Sequence, residues 1–191
     1  MKARALIFSL FFFVITLQAQ EKSNILPLME KIIQKSIDKD YDGVMDLTYP
    51  KVFEIANRQQ MIALITSVLE NEDFQIKILP TAPEIKISEV KNLLGGRYSL
   101  IHYNNAMTLK FKNLQNLNPN EFLPLLKESF PHSVVNYNKE TQSFDILIRS
   151  RNLAISDEYT HGKWRFLNAN PQDGQILRLL LDEQILNAFG L

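Results

Sequence analysis

Between residues 143 and 169 the chain reads SFDILIRSRNLAISDEYTHGKWRFLNA, and few architectures accept such a stretch. Phe144, Ile146 and Ile148 recur at every second residue, the period of a strand with one buried face. Past Ser150 the apolar set moves to Leu153 and Ile155, which have the opposite parity. A β-bulge shifts parity in this way and bends the sheet that carries it, so a bulge is expected near residues 150–152. The polar run 156–162 then turns the chain, and Trp164 and Phe166 give the return strand two large anchors. A bent hairpin of this kind offers a concave face with Trp164 and Phe166 in its floor. Helices elsewhere in the chain must cover it.

Those helices lie upstream. Asn24 is placed to cap a helix in which Ile25, Leu28, Met29, Ile32 and Ile33 follow the spacing of one helical face. Tyr49-Pro50 ends any helix that begins near Tyr41, because proline disfavours helical geometry at the residue before it. A third stripe, Met61, Leu64, Ile65, Val68 and Leu69, is the clearest of the set. Each stripe requires an apolar partner surface.

From Phe74 the period falls from about 3.6 to 2. Residues 75–79 alternate, Pro80 and Pro83 interrupt, and alternation resumes over 84–90 with Ile85 and Ile87. Gly95-Gly96 predicts a two-residue hairpin turn with both glycines at positive φ. The strand after it, residues 97–112, sets Ile101, Tyr103, Met107, Leu109 and Phe111 on one face, with Asn105 among them. Asn118-Pro119-Asn120-Glu121 predicts a helix start, with Phe122, Leu125 and Leu126 inward and a kink or early stop at Pro124. A strand over 133–137 leads into the organising hairpin. After Pro171, Ile176, Leu177, Leu179, Leu180, Leu181, Ile185 and Leu186 predict a C-terminal helical segment split at Asp182. Helices precede strands instead of alternating with them, so the class is α+β: N-terminal helices packed on a curved, largely antiparallel sheet.

The chain's start has a different composition. Lys2 and Arg4 precede an apolar run from Ala5 to Leu17, and Leu17-Gln18-Ala19 places a small residue before a cut. This is the pattern of a secretory signal peptide over residues 1–19, leaving one domain over 20–191. The run is too short for the roughly 20 residues of a membrane span, which disfavours an uncleaved anchor. The 21 basic and 21 acidic residues of the whole chain become 19 and 21 once Lys2 and Arg4 are removed. So small a charge offers nothing general to nucleic acid or anionic lipid. Cysteine is absent, which excludes disulfide staples, a thiolate nucleophile and a lipid-bearing cysteine. Export without cysteine points to a bacterial periplasm or exterior.

Leading helices, a long antiparallel sheet and a strand that ends Gly-Lys-Trp-Arg-Phe-Leu resemble the nuclear transport factor 2-like superfamily. Its cone-shaped, cystatin-like fold is shared with ketosteroid isomerases and SnoaL-type polyketide cyclases. More narrowly, residues 40–53 (DYDGVMDLTYPKVF), with Met61-Ile62 following, resemble uncharacterised exported proteins of Bacteroidetes-type bacteria. In those chains a Thr-Tyr-Pro-Lys segment, here 48–51, separates the second and third helices. The resemblance spans about residues 22–190. It implies the fold and leaves activity open, because that superfamily hosts enzymes, binding modules and domains that pair as homodimers. No motif fixes which of Asp145, Tyr98 or Tyr103 would match an isomerase's base and oxyanion donors, so none is transferred.

The motif-like run Asp38-x-Asp40-x-Asp42-Gly43-x-x-Asp46 matches the first half of a calcium loop. Position 12, which should be a bidentate Glu, is Tyr49, and Pro50 follows. The preferred reading is therefore a helix–helix link in which the aspartates cap the second helix, with no metal bound. Tyr103 and Asn105 share an otherwise apolar strand face and form the candidate ligand-binding pair, with Arg149 or Arg151 reaching in from a neighbouring strand. A core Tyr beside a satisfied Asn is the plainer alternative, and a solvated outer face is the plainer one for Arg149 and Arg151. His102 points away from that pair, and histidines 102, 132 and 161 lack metal-ligand spacing. No nucleophile elbow or phosphate loop is present, and no cofactor is implied. The expected function is a non-catalytic exported module that binds a small apolar ligand or a protein partner. The alternative is an isomerase or cyclase with a buried carboxylate such as Asp145 beside Tyr103.

Overall fold

The computed structural model describes residues 2–80, 83–113, 118–130 and 133–191, with side chains from Gln20 onward. Helix α1 (Lys2–Ile37) passes through Asn24, which therefore does not serve as its cap. The residues just before Asn24 are good helix formers, and the helix runs on upstream of it. Pro27 also lies inside α1 and forfeits one backbone bond there. Full burial of Ile25 and Met29 on either side holds the segment in place. Helix α2 (Tyr41–Leu47) stops before Tyr49-Pro50, and a 3₁₀ turn (Pro50–Glu54) follows with its proline in the first turn. Helix α3 (Arg58–Leu69) starts on a reciprocal cap between Asn57 and Gln60.

The sheet is antiparallel and is built around two long strands. Strand β4 (Gly96–Phe111) pairs with β6 (Ser143–Ser156) from Arg97↔Ser156 to Leu109↔Phe144. On the free side of β4 lie β1 (Phe74–Ile78), β2 (Lys86–Ile87) and β3 (Lys91–Leu93), placed one after another along its length. On the free side of β6 lie β5 (Val134–Asn138) and β7 (Arg165–Asn168). The turn before β4 uses Leu94 (φ 49°) and Gly95 (φ 77°), so the expected Gly95-Gly96 turn is shifted back by one residue. Gly96 is already paired with Leu93, and a Cβ there would strike the Tyr98 ring at 2.6–2.8 Å.

The β4–β6 register is unbroken over its whole length, so the bulge expected near 150–152 does not exist. The parity switch has another cause. One face carries Met107, Leu109, Phe144 and Ile146 and, further along, Ile101, Asn152 and Ala154; α1 covers it at that second end through Ile25 and Met29. The opposite face is covered only near that same end, where Tyr98, Leu100, Leu153 and Ile155 pack under α5 (Gly174–Leu180) and α6 (Glu183–Phe189). Burial on two sides makes residues 153–156 apolar or small at both parities. No extra residue is needed.

Trp164 and Phe166 are both buried against α1 and Val90. Arg97 sits over the Trp164 ring at 5.1 Å, pairs with Glu21, and donates to Ser156 Oγ at 2.8 Å. Helix α4 (Pro119–Ser129) begins on the Asn118 cap as expected and continues past Pro124. Its inward residues are Phe122, Leu123 and Leu126; Leu125, expected inside, is 57% exposed. The missing N–H at Pro124 removes one helical bond without ending the helix, because Leu126 and Phe122 are anchored on Phe144 and its neighbours. At the C-terminus Asp182 caps α6 through the Gln184 N–H at 2.8 Å, which is the split expected there.

Candidate functional site

Helix α3 packs Met61 and Leu69 at the two ends of its apolar stripe against the core and leaves the middle of the stripe facing open space. None of its residues is buried, and Leu64 and Val68 are more than half exposed. Met61, Leu64, Ile65, Val68 and Leu69 form one wall of a cleft of about 660 Å³. Val44, Met45 and Ile32 close it from α2 and α1, and Phe166, Leu167 and Ile78 from the sheet. Such a volume lies within the range of small-molecule sites. Polar groups are few along it: Thr48, Asn152, Asn168 and Asp173.

Tyr103 and Asn105 lie on the same face of β4, as their spacing requires, and line a smaller cavity of about 100 Å³. Ile32, Val44, Ile78 and Asn152 line both spaces, so the two are contiguous. Asn105 has no hydrogen-bonding partner among the described residues. Burial pushes the Tyr103 phenol up, and a bond with Ser150 opposes that in part. Asn152, which the sequence reading passed over, is 7% exposed and donates only to the Met29 thioether, at 3.6 Å.

Arg149 lines neither the apolar cleft nor the smaller cavity that holds Asn105. It is paired with Asn104 and exposed on the opposite face, because Ile148 is the residue that faces Asn105. There it borders a polar recess with Glu84, Lys86 and His102, which Tyr103 and Ser150 also line. Arg151 shares that face, opposite His102. Burial lowers the His102 pKa, and the charges of Arg151 and Lys86 lower it further. His132 lies outside the described residues, and His161 occupies the turn before β7 at φ 52°.

Asp145 also faces away from Tyr103; it pairs with Thr108 and accepts from Asn138 Nδ2 at 3.3 Å. The carboxylate that does line the cleft is Asp173. Burial raises its pKa, against the Asn170 N–H that it accepts and the charge of Arg151. The four aspartates of the helix link do not converge. Asp38 accepts from Gln34 at 2.9 Å, and Asp40 caps α2 through the Gly43 N–H at 2.8 Å while it pairs with Lys35. Asp42 and Asp46 both receive Arg58, at 3.0 and 2.8 Å. Among the described residues no set of three acidic, His or Cys side chains is placed to hold a metal.

No protein-family model and no curated protein matches this chain. The site must therefore be read from its own chemistry. Two walls of aliphatic side chains meet at a short polar floor, and no acid–base pair or nucleophile is assembled among the described side chains there. What such an arrangement does is exclude water from an apolar body and offer hydrogen bonds at one end. Among the described residues no helix is long and apolar enough to cross a membrane.

Proposed function

We propose that this chain is an exported bacterial protein, periplasmic or secreted, whose domain over residues 20–191 binds a small apolar ligand without transforming it. The observation that carries the reading is the cleft beneath α3: about 660 Å³, apolar on both sides, and walled by a stripe in which Leu64 and Val68 are more than half exposed. A stripe of five apolar residues left half-exposed is costly to keep in water unless something occupies it. The nuclear transport factor 2-like plan fits the order of elements, with leading helices over one face of an antiparallel sheet and the return strand carrying Trp164 and Phe166. Under that plan the cleft is the open mouth of the cone.

The test uses the purified chain from Gln20 onward and the neutral fluorophore N-phenyl-1-naphthylamine, which brightens in apolar surroundings. Saturable binding at one site per chain is expected, with loss of at least tenfold in affinity on Leu64→Glu or Val68→Glu, since each places a charge in the apolar wall. Absence of saturable binding by the unaltered chain overturns the reading.

A further inference from the structure

The polar end of the cleft is more specific than its walls. Asn152 is 7% exposed, and its one side-chain bond among the described residues is the 3.6 Å contact to the Met29 sulfur, a weak acceptor. An amide carries two donors and an oxygen that accepts twice, so most of its capacity is open to whatever occupies the cleft it lines. Asn105 lies on the same sheet face with its amide equally free among the described residues, and Tyr103 stands between the two positions. All three are uncharged at neutral pH.

We propose that the cleft selects an uncharged amphiphile, whose apolar body lies along α3 and whose hydroxyl, carbonyl or amide head is held by Asn152. The inference rests on the cleft being a ligand site. Among the described residues lining the cleft there is no positive charge for an anionic head. A cationic head would find only Asp173, whose carboxylate already accepts the Asn170 N–H. Asp173, the one charged residue lining the cleft, would repel a carboxylate, and it is already engaged by the Asn170 N–H and faces Arg151. A neutral head, by contrast, gives the Asn152 amide a better partner than the Met29 sulfur.

Displacement of N-phenyl-1-naphthylamine by three ten-carbon chains separates the possibilities. Decanol should compete at about tenfold lower concentration than decanoate or decylammonium, because a site built to hydrogen-bond discriminates through its own buried polar groups. Asn152→Leu should bring the three within about threefold of one another while binding of the fluorophore itself changes less than twofold. Asn152→Ala should narrow the preference in the same direction and serves if Asn152→Leu does not fold by circular dichroism. Equal competition by all three chains in the unaltered protein, or a preference for either ion, overturns the inference and leaves the cleft standing as a ligand site. Failure of the fluorophore to bind removes both.

Discussion

Tyr49 shows how one side chain ties distant parts of this molecule together. It is 2% exposed, its N–H donates to the Phe166 carbonyl at 2.9 Å, and its hydroxyl donates to Asp157 Oδ2 at 2.7 Å. Burial, and then the bond to Asp157, push its pKa far above that of an ordinary tyrosine. In the unfolded chain the phenol ionises near pH 10, so its stabilisation is complete below that pH and is lost as pH rises further. Tyr49→Phe should cost about 1.5–3 kcal/mol at pH 7, the range for hydrogen bonds to charged groups, measured by urea melts. The difference between the two proteins should shrink above pH 10, where Tyr49 favours unfolding by ionising only in the unfolded chain. A cost that stays constant to pH 11 would show that the hydroxyl is already ionised or solvated in the folded state.

At the scale of elements, α3 and α5 make a controlled pair. Both are amphipathic, yet Leu177 of α5 is fully buried against Leu153 and Ile155 while Leu64 of α3 is 57% exposed. Leu177→Ala should cost about 2–5 kcal/mol and Leu64→Ala below about 1 kcal/mol, both read from denaturant midpoints. The same contrast explains what the sequence made legible. Caps and breaks are local chemistry, so Asn118-Pro119, the stop before Tyr49-Pro50 and the split at Asp182 fall where their residues place them. Cover is not local. The α3 stripe predicts a helix face, but nothing in it says that Leu64 and Val68 will stay more than half exposed across a cleft.

The bulge was the misreading with the longest reach. A parity switch at residue 150 can come from an inserted residue or from burial on both faces, and single-strand periodicity cannot separate the two. Under the bulge, Asn152 turns outward. In the unbroken register it stays on the face of Phe144, Ile146 and Ile148 and enters the site. Parity alone could have excluded Arg149, which is odd where the inner residues of that strand are even. That Tyr103 and Asn105 share one face was legible because strand parity is visible without knowing any neighbour.

At the scale of the whole molecule, the question is where the folded unit begins. The first described side chains of α1 that engage the sheet are Glu21, paired with Arg97, and then Ile25 and Met29, both fully buried. A leader that ends at Ala19 would leave all three in the mature chain. A protein that starts at Gln20 should therefore melt within about 2 °C of the full-length chain, a shift smaller than 1 kcal/mol produces in a domain of this size. One that starts at Lys31 loses Ile25, Leu28 and Met29 from the face over Ile101, Ala154 and Phe166. Losses of about 2–5 kcal/mol for each large buried side chain would take most of the roughly 5–15 kcal/mol that holds a domain together. That shorter chain should be unfolded or molten by near-ultraviolet circular dichroism, with the Trp164 signal gone. If the chain from Gln20 melts well below the full-length protein, residues 2–19 belong to the fold, and the leader assignment fails on that measurement.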